Sequence, residues 1–300
     1  MKSVYTGGEK VADFESYDEL RVGDSKPAFI YEGNELVYPN PVKDGLVLWY
    51  DFSGRTNTDS ERGIAEDLSG NGNHGTLQNF NYTSESGYDK NKLLFDGVDD
   101  RVISNSINTE IYSIESVFID GEINKRVSLF TALKYNSPSS GLSLSITANR
   151  RGFVIDYGSE GNTYTPHYFS NFSEASQILS KKNPIHAVLQ IDPVTNEATL
   201  YINGNHFETV LLSYKYNPIV SRVVGGNLAN NISWDSFADG ALMSGRIYNR
   251  PLTPEEIAHN YTIEKERFGI GKKIAEEPKL NSLPISQAVI GKTLKVGGAK

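Results

Sequence analysis

Two short runs decide the reading of this chain: D-L-S-G-N-G-N-H-G at residues 67–75 and L-L-F-D-G-V-D-D-R-V at residues 93–102. The first packs three glycines and two asparagines into nine residues. That composition permits φ > 0 at several positions and describes a tightly folded loop, not a strand or a helix. Asp67, Asn71 and Asn73 supply the oxygens a hard cation accepts, and the carbonyls of such a loop can converge on the same ion. The alternative is an Asx-type turn satisfied by its own backbone. The second run has an apolar stretch, Leu93-Leu94-Phe95, then a turn centred on Gly97, then the paired carboxylates Asp99 and Asp100.

Working outward, residues 46–52 (L-V-L-W-Y-D-F) form a near-continuous apolar run of the kind buried between two sheets. Further strand candidates follow at short spacing over 114–119, 127–133, 142–147, 152–157, 185–191, 198–202, 207–212, 219–224 and 242–248. Gly, Asn or Pro punctuates most of the gaps, and Asn203-Gly204 after Leu200-Tyr201-Ile202 is a strong hairpin signal. This many short strands with even punctuation predicts an all-β sandwich or barrel. Thr253-Pro254-Glu255-Glu256 then reads as an N-cap, a proline at the first helical position and a capping box. Ile257, Tyr261 and Phe268 share one face of the short helix so predicted, and Gly269 is placed to cap it. Before the sandwich, residues 1–41 form a small β-rich element that ends at a junction made extended by Pro39 and Pro41. After it, residues 270–300 lose periodicity. The expected division is therefore an appendage at 1–41, a sandwich at 42–269 and a tail at 270–300.

The bulk composition excludes several functions. The net charge is −8 with no basic stripe, which argues against a nucleic-acid partner. No run approaches the ~18 apolar residues of a membrane span, and the first residues lack the apolar core of an export signal. No cysteine is present, so thiolate metal sites are excluded. The five histidines show no metal-ligand spacing and no accompanying nucleophile motif. Asp120 and Glu122 have the i, i+2 spacing that would put two carboxylates on one strand face, as a glycosidase needs. Gly121 between them favours a turn, however, and the E-x-D-x-x-E glucanase pattern does not occur. The chain is read as non-enzymatic.

Four pieces in the same order carry a resemblance: residues 45–52, the two opening runs, A-T-L-Y-I-N-G at 198–204 and G-R-I-Y-N-R-P-L-T-P-E-E-I at 245–257. Together they resemble the laminin-G-like, concanavalin-A-like lectin-glucanase domains found in phage tail and baseplate proteins. The resemblance implies a jelly-roll β-sandwich with a short C-terminal helix and small terminal appendages. It also implies Ca²⁺ as a cofactor at the glycine loop, with Asp67, Asn71, Asn73 and Asp99 as metal ligands. Met243 and Ser244 stand where relatives tend to carry an acidic pair. In family context the chain would be a virion component assembled in the host cytoplasm. It would be oligomeric in the particle, partnered by other tail or baseplate proteins and displaying the sandwich toward host-surface carbohydrate; the alternatives are a purely structural or interaction sandwich without sugar binding and, behind it, a glycoside hydrolase.

Sugar rings stack on flat aromatic faces while Asn and Asp take the hydroxyls. The clusters that fit are Trp234, Asp235 and Phe237 in an Asn-rich stretch, and Tyr164 and Tyr168 in T-Y-T-P-H-Y-F. Core packing is the competing role for each of these aromatics. The two terminal segments hold too few apolar residues for cores of their own, so they are expected to act in assembly.

Overall fold

The structure, a computed structural model, describes residues 3–6, 9–13, 30–32, 35–38, 41–121, 127–133, 141–147, 152–159, 162–179, 183–226 and 239–271. The chain divides into two units: Asn40–Lys272, and a second made of the residues on either side of it. In the second unit β1 (Ser3–Thr6) and β2 (Glu9–Asp13) form one antiparallel hairpin, and β3 (Ile30–Glu32) and β4 (Glu35–Tyr38) another.

The larger unit begins with β5 (Leu46–Asp51), β6 (Ile64–Ala65), β7 (Gly75–Gln78), β8 (Gly87–Asp89), β9 (Lys92–Asp96) and β10 (Arg101–Ser104). It continues through β11 (Thr109–Glu110), β12 (Ser113–Asp120), β13 (Val127–Leu133), β14 (Gly141–Thr147), β15 (Gly152–Ser159) and β16 (Asn162–Tyr168) to helix α1 (Phe172–Leu179). The remaining elements are β17 (Ile185–Ile191), β18 (Glu197–Ile202), β19 (Asn205–Leu211), β20 (Ile219–Val220), β21 (Arg222–Gly225), β22 (Asp239–Tyr248) and α2 (Pro254–Phe268). Two eight-stranded antiparallel sheets result. One runs β16-β15-β14-β13-β21-β10-β7-β6; the other runs β19-β18-β17-β12-β22-β9-β8, with β5 also paired to β22. The all-β jelly-roll sandwich expected from the sequence is what the chain forms.

Alternation explains the core. Leu48, Tyr50 and Phe52, Ile114 and Phe118, and Leu242 and Ile247 join the apolar core with residues of the other sheet, such as Phe130, Leu142 and Ile155. Gly245 makes room for that packing, since a Cβ there would meet the Phe130 ring at 2.7 Å. The Asn203-Gly204 turn joins β18 to β19 with both residues at positive φ, 51° and 74°, the type I′ conformation that matches sheet twist.

Helix α2 covers the outer face of the β5/β22/β12 sheet. It has the full capping box between Thr253 and Glu256, Pro254 in its first turn and Gly269 left-handed at its end. Beneath it, Val117, Met243, Phe268 and Ile270 form a small second core. Met243 is the extra residue of a β-bulge, because Val117 pairs with Ser244 while Phe118 pairs with Leu242.

The rest of this covered face is polar. Trp49, Arg246 and Glu115 lie opposite one another across β5, β22 and β12. The Arg246 guanidinium sits 4.9 Å from the Trp49 ring centroid and donates to Glu115 Oε1 at 3.0 Å and to Glu264 of α2. Glu115 also receives His186 Nε2 at 2.8 Å and Asn260 Nδ2 at 2.8 Å. Arg267 extends the chain of charge from Glu264 to Asp51. Burial alone would raise the Glu115 carboxyl, but Arg246, with His186 and Asn260, overrides it and holds the group at about 2.

Removing one member of a buried ion pair costs ~3–5 kcal/mol, because the other charge is left uncompensated. Arg246→Met is therefore expected to lower the unfolding free energy by that amount, read as a lower urea midpoint at unchanged slope. Glu115 has a depressed folded-state value. Its contribution is complete above its ordinary value of 4.5 and is lost as pH falls from there through about 2. An acid-unfolding series should show that limb in the native chain, and it should be absent in Glu115→Gln.

Candidate functional site

The glycine loop is the first place to look, and its oxygens are already engaged. Asp67 is 6% exposed; its Oδ1 accepts the amides of Trp49 (2.9 Å) and Ser69 (3.0 Å). Its Oδ2 accepts the Ser69 hydroxyl (2.9 Å) and the Asn73 amide (2.8 Å). Asn71 Nδ2 donates to the carbonyls of Leu46 and Val47, and Asn73 Nδ2 to Val47, all within 3.0 Å. Among the described residues strand β5 has its ladder along β22, and its other edge meets the glycine loop in an isolated bridge from Tyr50 to Asp67 and a bond from the Leu68 amide to the Trp49 carbonyl. The loop therefore binds the donors and acceptors along the other edge of β5, doing what a further strand would do. This is the self-satisfied turn, extended into an edge cover.

The expected ligand set also fails geometrically. Strands β7 and β10 pair from Arg101↔Gln78 to Ser104↔Gly75. Asp99 precedes the first end of that ladder, while the glycine loop feeds into the other. Three residues of strand separate the ends, or ~10 Å. Ca²⁺ ligands lie ~2.3–2.6 Å from their ion, so Asp99 and the Asp67, Asn71 and Asn73 loop do not share one. The residues of the loop do not fit the cation that the resemblance implies.

Asp99 belongs instead to an acidic corner. In the turn joining β9 to β10, Gly97 is left-handed (φ 76°). Val98 N donates to Asp96 Oδ1 at 2.8 Å, and Asp96 N to Asp100 Oδ2 at 3.0 Å. One carboxylate oxygen from each of Asp96, Asp99 and Asp100 lies within 4.8 Å of the others. Asp100 is completely buried, and its Oδ1 has no hydrogen-bond partner. Burial pushes its carboxyl up to about 6; Asp96 and Asp99 add repulsion, against hydrogen bonds from Ser86 and the Asp96 amide.

The register carries the acidity across the sheet. Asp96 of β9 stands directly opposite Asp239 of β22, and Asp120 of β12 stands opposite Gly240. Like charges opposite one another destabilise a ladder unless something binds them. Gly121 and Gly240 let the strand ends cross: a Cβ on Gly121 would collide with the Asp239 carbonyl, and one on Gly240 would stand 2.5 Å from the Ile119 carbonyl. Here a cleft of about 410 Å³ opens, with Leu94, Ile119 and Ala241 as apolar lining and Glu85, Asp96, Asp120, Asp239 and Lys92 around them. Lys92 is paired with Asp89 at 2.9 Å.

The sequence singled out Asp99 and Asp120 but missed Asp96 and Asp239, whose meeting depends on the β9–β22 register. Trp234, Asp235, Phe237 and Glu122 lie outside the described residues. Tyr168 is exposed on β16, an edge strand of the sheet that does not contain β9, β12 and β22, and does not line the cleft; Tyr164 belongs to the same strand. Among the described residues no helix is long and apolar enough to cross a membrane.

No family model and no curated protein matches this sequence. Solved structures do match. The botulinum neurotoxin serotype D binding domain superposes with a TM-score of 0.54 at 14% identity, over 74% of this chain and 52% of that one. The receptor-binding domain of the botulinum neurotoxin C/D mosaic serotype gives 0.54 and 14%, over 74% and 52%. The serotype D ligand-binding domain in complex with N-acetylneuraminic acid gives 0.53 and 14%, over 74% and 51%. The chain spans about half the length of these neighbours, and at this identity the superposition establishes a shared β-sandwich fold alone.

Because Asp67 accepts from four donors, one of them the Trp49 amide on the β5 edge and three within the loop, Asp67→Ala is expected to cost ~2–4 kcal/mol. Chemical denaturation measures it, and Asn71→Ala should cost less, since water can reach the carbonyls it serves.

Proposed function

We propose that the sandwich is a non-enzymatic carbohydrate-binding module and that the acidic cleft between β9, β12 and β22 holds the sugar. The observation that carries this reading is the lining of the cleft. Carboxylates accept hydrogen bonds from vicinal hydroxyls, and an apolar floor of Leu94, Ile119 and Ala241 suits the C–H face of a pyranose. Its volume falls in the ~300–1,000 Å³ range of small-molecule sites. Phe237 and Trp234 precede Asp239 by two and five residues in sequence.

The neighbour bound to N-acetylneuraminic acid supports a glycan ligand in general. The charge here argues for a different one. Carboxylate oxygens accept hydrogen bonds from hydroxyl and ammonium groups, so the preferred class is neutral or amino sugars. The sequence resemblance to phage tail and baseplate domains supports a virion role, in which the terminal segments attach the module to other tail proteins and the sandwich faces the host wall.

A glycan array with the purified chain tests the binding. Neutral or amino glycans should be retained, and Asp239→Asn and Trp234→Ala should each weaken retention about tenfold or more, the scale of one charged hydrogen bond or one aromatic anchor. Retention of sialylated glycans alone contradicts the reading. Converging carboxylates are also what a glycoside hydrolase needs, so the retained glycan should be checked for release of reducing ends. None is expected.

A further inference from the structure

We propose that the turn between β9 and β10 is a divalent-cation site of calcium type, built by Asp96, Asp99 and Asp100, and that the glycine loop is not. The inference goes beyond the carbohydrate reading and does not depend on it.

Two independent observations meet here. One is the convergence of three carboxylates with oxygens within 4.8 Å of one another. The other is Asp100 Oδ1, an acceptor with no donor on a side chain that is completely buried. A buried polar atom without a partner costs free energy that a native fold does not normally leave unspent. An unpartnered acceptor on one of three clustered acids is not relieved by the ionised carboxylates beside it, because these only accept. A cation relieves it.

The donor set also names the class of ion. Asp96, Asp99 and Asp100 offer oxygen alone, so the site suits a hard cation and not zinc or copper. The ligands sit in a turn with an exposed Asp99 and a half-buried Asp96. Such a frame adapts to the six to eight oxygens and loose geometry of Ca²⁺ better than to the rigid octahedron of Mg²⁺. On the exposed side, coordination positions remain for water or main-chain oxygens. The contrast with the glycine loop is in the hydrogen bonds. Asp67 has a donor for every lone-pair direction it needs, whereas Asp100 has one oxygen with none.

The test is calorimetric titration of chelator-treated protein with CaCl₂, paired with melting curves with and without the metal and with no glycan present. One ion per chain should bind and raise the melting temperature, with MgCl₂ binding at least tenfold more weakly. Asp99→Asn changes an exposed residue and should fold normally, yet weaken calcium binding tenfold or more. Asp100→Asn should abolish the response. Asp67→Asn, although less stable, should keep the native calcium affinity. The proposal is overturned if the native chain gives no heat and no shift, if Asp99→Asn binds as the native chain does, or if Asp67→Asn selectively loses the response. Equal affinity for magnesium overturns the assignment to calcium. Because sugar is absent throughout, these outcomes are separate from those of the array.

Discussion

The ion pair between Glu115 and Arg246 is the constraint on which the arrangement of this domain depends. Both side chains are buried on a sheet face that in most sandwiches of this kind would be either wet or apolar. Their burial is tolerable only because α2 closes over them with Glu264 and Asn260, and because Trp49 and His186 wall the sides. The helix thus has one register in which its polar residues meet the sheet. Asn260 also accepts the amide of Val42, which ties the start of the domain to the same point.

The same two strands then carry the candidate site at their other end. Along the β12–β22 ladder the partners run from Ser113↔Tyr248 through Glu115↔Arg246 to Asp120↔Gly240. The bulge at Met243 lies between the charge network and the cleft. It packs Met243 with Phe268 at the end of the helix and Ile270 just beyond it, and it re-aims the strand toward the glycine crossing at Gly121 and Gly240. A rigid sheet anchored at one end by charge thereby presents acidic side chains at the other, where β9 supplies Asp96 and its turn supplies Asp99 and Asp100.

Signals carried by neighbouring residues were legible in the sequence. Asn203-Gly204 gave its hairpin because type I′ geometry needs φ > 0 at both positions, and Thr253 with Glu256 gave the helix start because a capping box is complete within four residues. The charge network was not legible. Arg246 lies 131 residues from Glu115, and each alone reads as an ordinary polar position in a strand. The glycine loop shows a different limit. Asp67, Asn71 and Asn73 have the composition of a cation loop, but composition does not tell whether an oxygen faces an ion or an amide. Only the bare edge of β5 decides that, and it emerges from the strand order. Asp99 was visible as half of an acidic pair, whereas its connection to Asp239 through Asp96 required the register of β9 against β22.

The proposed division of work is that the glycine loop closes a strand edge and the acidic turn takes a cation. Anomalous diffraction from crystals soaked in calcium tests that division most directly. A peak ~2.3–2.6 Å from oxygens of Asp96, Asp99 and Asp100, with the glycine loop empty, is the expected result. A peak seated among Asp67, Asn71 and Asn73, with none in the turn between β9 and β10, would contradict it.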